Sequence, residues 1–311
     1  MNVYEILPVT PDTPEWYELR RERLGASDSA AILGLSKWTT PLDVYRSKLG
    51  IEREFDPMLA WIGHNLEPVI GKWIDEFAPE IGQQLPGFAA RSLIAPHLFA
   101  TPDSLTVDGI PIEKKTSMEF MRDDWADGVP LYYQVQSQQQ QFVLGAPYGW
   151  VVVFHGGRDF AAYKVMRDDR FIDEHLVPKT FDWWQTHVVA KVAPEPTTLG
   201  ELADVYPSEA GTSVEASETA YEAAERRAVL LSDIRAMEAE VDALQLAIGQ
   251  YMGSAELLTF EGREVLTYKT QAGRRSVSVS ELEAKHPELV ADLVKQGDPF
   301  KVMRMKKESG K

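Results

Sequence analysis

The spacing of apolar residues divides the chain into two differently patterned parts. Between 14 and 50, three runs, PEWYELRRERLG, SDSAAILGL and PLDVYRSKLG, read as short helices closed by glycines. Ser27 or Asp28 is placed to cap the second, and Pro41 suits the first turn of the third. In 58–77, Leu66, Ile70, Trp73, Ile74 and Phe77 recur at helical spacing and predict an amphipathic helix entering a core. From 88 to 117 the pattern shortens to strands punctuated by Pro and Gly. YYQVQSQQQQFVLG (132–145) predicts a helix, GWVVVFHGG (149–157) a buried strand, and DFAAYKVMRD its hairpin partner. Residues 168–189 read as a further helix. A few strands wrapped by helices in mixed order mean an α/β or α+β chain.

The composition shifts at 193–218, a stretch rich in Pro, Ser, Thr, Gly and acidic residues that reads as a linker between a domain at 1–192 and an extension at 219–311. In the extension, Leu230, Ile234, Met237, Val241, Leu244, Ile248 and Tyr251 alternate at spacings of four and three. That is a heptad seam on a helix ending at Gly253, packed either on its own domain or on another chain. A hairpin turning at Glu261-Gly262 follows, then a capping box at Ser280 and Glu283 opening a last helix. PFKVMRMKK closes the chain with strand-like alternation.

Charge narrows the chemistry. The chain carries 32 Lys and Arg against 48 Asp and Glu, a net of −16, which argues against a protein that coats nucleic acid through a global basic field. An enzyme with basic groups confined to one cleft remains compatible. Residues 263–311 are locally basic, so the tail is a further place where phosphate could be met. There is no cysteine, which excludes disulfides, zinc–thiolate sites, iron–sulfur clusters and thiol catalysis. Any metal must be held by oxygen or imidazole, and oxygen-only sites favour magnesium, manganese or calcium. No apolar run reaches the ~20 residues of a membrane span, and the N-terminus lacks the features of a signal peptide, so a cytoplasmic protein is expected.

The candidate chemistry lies in ATPDSLTVDGIPIEKKTS, residues 100–117. On a strand, the period of two puts Glu113 and Lys115 on one face, while Ile112 and Lys114 point the other way. The preceding strand can bring Asp103 opposite Glu113. Two converging carboxylates repel unless a cation sits between them. A divalent metal held by Asp103, Glu113 and the backbone carbonyl of Lys114 relieves that repulsion and acidifies a water for attack on phosphorus. Lys115 is placed to polarise that water and offset charge on the phosphate. Glu67, in GHNLEP, adds a third acid on the amphipathic helix.

Four ordered blocks then resemble one family. EWYELRRERLGASDSAAILGLSKWTTPLDVYRSKLG, LAWIGHNLEP, ATPDSLTVDGIPIEKKTS and YYQVQSQQQQFVLGAPYGWVVVF are together similar to the phage lambda exonuclease or YqaJ-like viral recombinase family of the PD-(D/E)XK nuclease superfamily. The resemblance spans roughly residues 14–190. It implies a restriction-endonuclease-like core, a central mixed β-sheet flanked by helices, with a C-terminal helical or α+β extension. It also implies metal-binding acids at Glu67, Asp103 and Glu113, Lys115 as the catalytic lysine, and Gln134 facing the active site, with Gln136 as a secondary candidate. Arg20 and Ser27 match positions that grip a terminal 5′-phosphate, a role suited to an Arg fork and a hydroxyl at a helix N-terminus. The implied activity is 5′-to-3′ hydrolysis of linear double-stranded DNA with Mg2+, or Mn2+ as substitute, leaving 3′ tails for phage recombination. A homo-oligomeric ring and a single-strand annealing partner belong to the same implication. Lys114 departs from the family, which has an apolar residue there. Two alternatives remain: a nuclease without end dependence, and a non-catalytic DNA-end or partner-binding module.

Other conspicuous residues have plainer readings. Trp16, Trp61, Trp73, Trp183 and Trp184 lie on apolar helical patterns and are expected in the core. His64 is expected on a polar helix surface, and the glutamine run 138–141 on a solvated helix face.

Overall fold

Short polar side chains answer the orphan amides at the starts of the first helices. The computed structural model describes residues 3–11, 13–51, 56–273, 278–285, 287 and 303. After β1 (Tyr4–Leu7), α1 (Pro14–Glu22) is capped by Thr13, whose hydroxyl accepts from the Trp16 amide. In α2 (Ala26–Ile32) the cap is Gly25, neither Ser27 nor Asp28; Asp28 sits at the third helical position and accepts from the Gly25 amide at 2.9 Å. Thr40 and Asp43 form a reciprocal capping box at α3 (Pro41–Lys48).

The amphipathic helix α4 (Pro57–Phe77) buries Ile70 and Ile74 against Ile110, Ile112, Trp150 and Val152. Trp73 stacks on Phe160 at 5.0 Å. Phe77, expected inside, is exposed, although Ile74 and Ala78 beside it are buried against the sheet. Short strands follow: β2 (Gln84–Pro86), β3 (Ala89–Ser92), β4 (Phe99–Ala100), β5 (Ser104–Thr106) and β6 (Pro111–Ser117). A 3-10 segment (Glu119–Trp125) leads to α5 (Leu131–Leu144), then to the hairpin β7 (Tyr148–His155) and β8 (Asp159–Met166).

Two sheets result. One has the order β1-β3-β4, all antiparallel. The central one has the order β2-β5-β6-β7-β8, antiparallel except for the parallel β6–β7 pair that α5 connects. α4 packs on the face presenting Ile112, and α5 runs on the face presenting Glu113. This is an α/β core, a central mixed sheet flanked by helices. The helical run 169–189 comprises α6 (Asp169–Phe171), α7 (Val177–Trp183) and two π-helical stretches, and it seals the core with Ile172, Leu176 and Trp183.

The glutamine run is not solvated. Gln138, Gln139, Gln140 and Gln141 are all buried, because α5 is covered on every side. Their amides are spent on groups that other elements leave open. Gln138 donates to the Met166 carbonyl and accepts from Asp168 N; Gln141 donates to the Val165 carbonyl. Gln139 donates to the carbonyls of Leu24 (3.0 Å) and Phe99 (2.9 Å) and accepts from the Ser29 hydroxyl. Such pairing is what a buried amide requires, although Gln141 Oε1 is buried without a partner.

His97, bonded to Thr180 at 3.2 Å, is held down to about 4 by burial and stays neutral in the fold. Its folded pKa lies below the unfolded value, so its contribution to stability is complete above about pH 6.5 and is lost as pH falls towards 4. The expected loss is on the order of 2 kcal/mol. Urea midpoints at pH 7.5 and 4.5 measure it, and His97→Leu should flatten the difference.

The compact N-terminal unit runs to Val205, beyond the start of the expected linker. α8 (Leu199–Val205) belongs to it because Glu201 is buried and accepts from the Thr40 hydroxyl and the amides of Thr197 and Thr198. The second unit, 206–311, contains α9 (Glu218–Met252), capped by Ser217 and stopped at Gly253, φ +58°. All the seam residues lie on this one helix; Leu230, Ile234, Met237, Val241, Leu244 and Tyr251 are exposed. β9 (Leu257–Phe260) and β10 (Arg263–Thr267) pair around Glu261 and Gly262, both at positive φ as a tight hairpin turn needs. α10 (Val279–Lys285) is capped by Ser278, two residues ahead of the expected Ser280. Apart from Met303, the PFKVMRMKK segment lies outside the described residues.

Candidate active site

Strand register builds the centre of the cleft. Ser104 pairs with Ile112, so Asp103, one residue further out, falls at the level of Glu113. One Asp103 oxygen accepts from the Lys114 amide at 2.6 Å. Glu113 is 4% exposed and fully engaged. Its Oε1 accepts from Lys115 Nζ (2.5 Å) and Gln136 Nε2 (2.5 Å), and its Oε2 from Gln140 Nε2 (2.6 Å). Lys115 also lies 4.9 Å over the Tyr133 ring. The Lys114 side chain leaves by the opposite face, towards Gly71 of α4. Half-buried Glu67, from α4, lines the same cleft of about 620 Å³. His64 lines it too, on an exposed helix surface, and so does Trp61, which is 62% exposed and not in the core. Trp16, Trp73, Trp183 and Trp184 pack inside or partly inside, as expected.

The electrostatics follow from this crowding. Burial, then the negative charge of Glu113, and more weakly that of Glu67, push the Asp103 carboxyl well above its usual range against the pull of Lys115. Burial works to lower the Lys115 pKa, but Glu113 and Asp103 outweigh it and raise it. Lys115 is therefore a firmly held ammonium, a donor and not a base. Among the described residues no three acidic or imidazole groups form a ready-made ion cradle. The donor set nevertheless fits a hard divalent cation: Asp103 and Glu113 converge, Glu67 is within electrostatic reach, and Asp103 is destabilised as an anion for want of positive charge.

Gln134 does not join this set. Its amide donates to the Val129 carbonyl at 2.7 Å, and it lines a separate cavity of about 410 Å³ with Leu131, Tyr163 and Phe171. Two residues along, α5 has turned by about 200°, which brings Gln136 to Glu113 instead. Gln140 and Tyr133 are site residues that the sequence reading passed over. The i, i+4 spacing of Gln136 and Gln140 is the signal that places both on one helix face.

Arg20 and Ser27 come together as a second cluster. Arg20 Nη2 reaches Ser27 Oγ at 3.3 Å and Asp28 Oδ1 at 3.0 Å, while its guanidinium lies 4.9 Å over the Trp16 ring. Lys48 Nζ donates to Asp28 Oδ2 and to the Arg20 carbonyl, both at 2.7 Å. Burial tends to raise the Asp28 pKa, but Lys48 and Arg20 hold it below the usual carboxylate range. Tyr17, one turn before Arg20 on α1, lines the acidic cleft.

Gly87 underwrites the position of Asp103. A Cβ there would lie 1.8 Å from the Pro102 carbonyl oxygen, a backbone atom that cannot swing aside. Gly87→Ala must displace the Pro102–Asp103 backbone. The expected cost is about 2 kcal/mol in stability, with at least a tenfold loss of any activity that needs Asp103 in register. Denaturation and rate measurements on one preparation check both.

The centre of the cleft is thus an acidic pair, Asp103 just ahead of β5 and Glu113 on β6, with Lys115 beside Glu113 and the crossover helix α5 closing over them. Residues 15–147 match the model of the YqaJ-like viral recombinase domain. The uncharacterized protein YqaJ of Bacillus subtilis (strain 168) is 30% identical over 191 residues, which cover 58% of this chain and 58% of that protein. The chain thus spans less than two thirds of that relative's length. Among solved structures, the alkaline exonuclease LHK-Exo from Laribacter hongkongensis, in complex with dAMP, is 20% identical, with 57% of this chain and 94% of that one covered and a TM-score of 0.49. A phage-related exonuclease from Haemophilus somnus 129PT is 13% identical, covering 57% and 100%, with a TM-score of 0.42.

Proposed function

We propose that the chain is a metal-dependent nuclease that digests linear double-stranded DNA from 5′ ends, leaving 3′ single-stranded tails for recombination. The observation that carries the reading is the facing of Asp103 and Glu113 across two strands, with Lys115 bonded to Glu113 and lining the same cleft. Asp103, Glu113 and the Lys114 carbonyl would hold a Mg2+ or Mn2+ ion, with Glu67 as a further ligand. Such an ion supplies an acidified water and charge neutralisation at phosphorus. Gln136 and Gln140 fix the Glu113 carboxylate so that it does not turn away from the cleft. Lys115, as an ammonium, donates hydrogen bonds from Nζ to the water or to phosphate oxygen and stabilises the charge that develops there. Arg20 and Ser27 bind the terminal 5′-phosphate, which gives the reaction its direction.

A homo-oligomeric ring around DNA, a single-strand annealing partner and a cytoplasmic site of action in the host cell belong to the same proposal. A ring lets basic groups line a channel while the acidic exterior avoids the duplex.

The test is digestion of a linear duplex labelled on either strand, beside a covalently closed circle of the same sequence. Degradation of linear DNA from 5′ ends, abolished by EDTA and restored by Mg2+, is expected. Breakdown of the closed circle would sink end dependence and leave an endonuclease; no degradation at all would leave a binding module.

A further inference from the structure

Two cations approach the single carboxylate of Asp28, and they differ sharply in access to solvent. The Arg20 side chain is 29% exposed, the Lys48 side chain 1%. Lys48 stands at the end of α3 and spends its ammonium on Asp28 Oδ2 and the Arg20 carbonyl, both contacts inside the cluster. Burying a lysine ammonium is costly, and an apolar side chain of similar size could close the same gap between α1 and α3 without that cost. The charge itself therefore asks for a role.

Charge balance supplies one. Asp28 and Arg20 alone would form a neutral pair, and a guanidinium so neutralised attracts a phosphate weakly. With Lys48 the trio carries a net single positive charge. The member that meets solvent is Arg20, which uses only Nη2 for Asp28 and Ser27 while Trp16 supports its plane.

We propose that Lys48 is a positioning residue for the anion-binding arm, fixing and partly neutralising Asp28 so that Arg20 is both aimed and electropositive towards a terminal phosphate monoester. The inference rests on the reading of Arg20 and Ser27 as that arm. Lys48 does not touch the ligand; it acts through Asp28.

Two variants of the full chain separate charge from packing. Lys48→Gln keeps hydrogen-bond donors and removes the charge, and Lys48→Met removes both. KM and kcat are measured on linear duplexes ending in a 5′-phosphate or a 5′-hydroxyl, alongside the wild type and Arg20→Ala. The wild type should prefer the phosphate, and Arg20→Ala should erase the preference. Both Lys48 variants should raise KM for the phosphorylated duplex roughly tenfold, the scale of one charge-assisted contact, with kcat changed by less than about twofold. A purely structural lysine would affect both substrates alike. Should Lys48→Met not fold, Lys48→Gln decides. Preference retained in folded Lys48→Gln, beside its loss in Arg20→Ala, overturns the role of Lys48 alone. A wild type without preference overturns the arm as well.

Discussion

Lys115→Ala is expected to cut the rate of DNA hydrolysis about a thousandfold while the protein stays folded. The ammonium sits 2.5 Å from Glu113 Oε1 and over the Tyr133 ring, and it is the cation that offsets the charges of Glu113 and Asp103. Its removal deprives the developing phosphate charge of a donor and leaves two carboxylates facing each other with less compensation. Lys114→Ala provides the contrast. Its side chain turns to the α4 face, and the backbone carbonyl that would serve a metal survives the substitution. A loss of only severalfold is expected there. Initial rates on a 5′-labelled linear duplex with Mg2+, with circular dichroism to confirm folding, distinguish the two lysines. Equal losses would contradict the strand-face assignment.

Gln139→Leu is expected to lower stability by about 4 kcal/mol, the largest single loss outside the apolar core. Leucine fills a comparable volume but offers no amide. The Leu24 and Phe99 carbonyls would be left buried without their donor, and the Ser29 hydroxyl without its acceptor. Each abandoned buried polar group costs roughly 1–3 kcal/mol, against which leucine returns some apolar burial. Urea denaturation at pH 7.5 measures the difference. A change under about 1 kcal/mol would show that water replaces the amide.

The two residues also mark where sequence reasoning succeeds and where it stops. The alternation in PIEKKTS is a local property of the strand, so the opposite facing of Lys114 and Lys115 is legible without any tertiary information. The register that sets Asp103 level with Glu113 is nearly as legible, since a short connection leaves few ways to pair two strands. The glutamines were opaque for the opposite reason. A run of four polar residues on a helix reads as solvated unless something outside the helix is known to need its amides. Here Met166, Leu24, Phe99 and Glu113 all do, and each belongs to a different part of the chain. The same lack of an apolar stripe left the rotational phase of α5 open, so Gln134 and Gln136 could not be told apart. Trp61 fails similarly: it fits the helical pattern of α4, but only the cleft shows that its turn of the helix has no sheet beneath it.

The buried Asp28–Lys48 pair was legible only as two ordinary charged residues twenty positions apart. Helix capping pointed to Asp28 for a reason that holds, its bond to the Gly25 amide, though from the third position and not from the cap. Lys48 carries no sequence signal, because a lysine in the last turn of a helix is unremarkable by itself.

Gln139 and Gln140 are neighbours in one turn of α5, yet one is fastened to α2 beside the Arg20–Ser27 cluster and the other to the acid at the centre of the cleft. Neither attachment can be broken by moving the helix without straining the other. The arm and the acidic centre should therefore open as one cooperative unit in native-state hydrogen exchange, with amides of α2 and β6 sharing a single opening free energy. A protein that breathes this way cannot loosen its Arg20–Ser27 cluster and keep its acidic centre assembled.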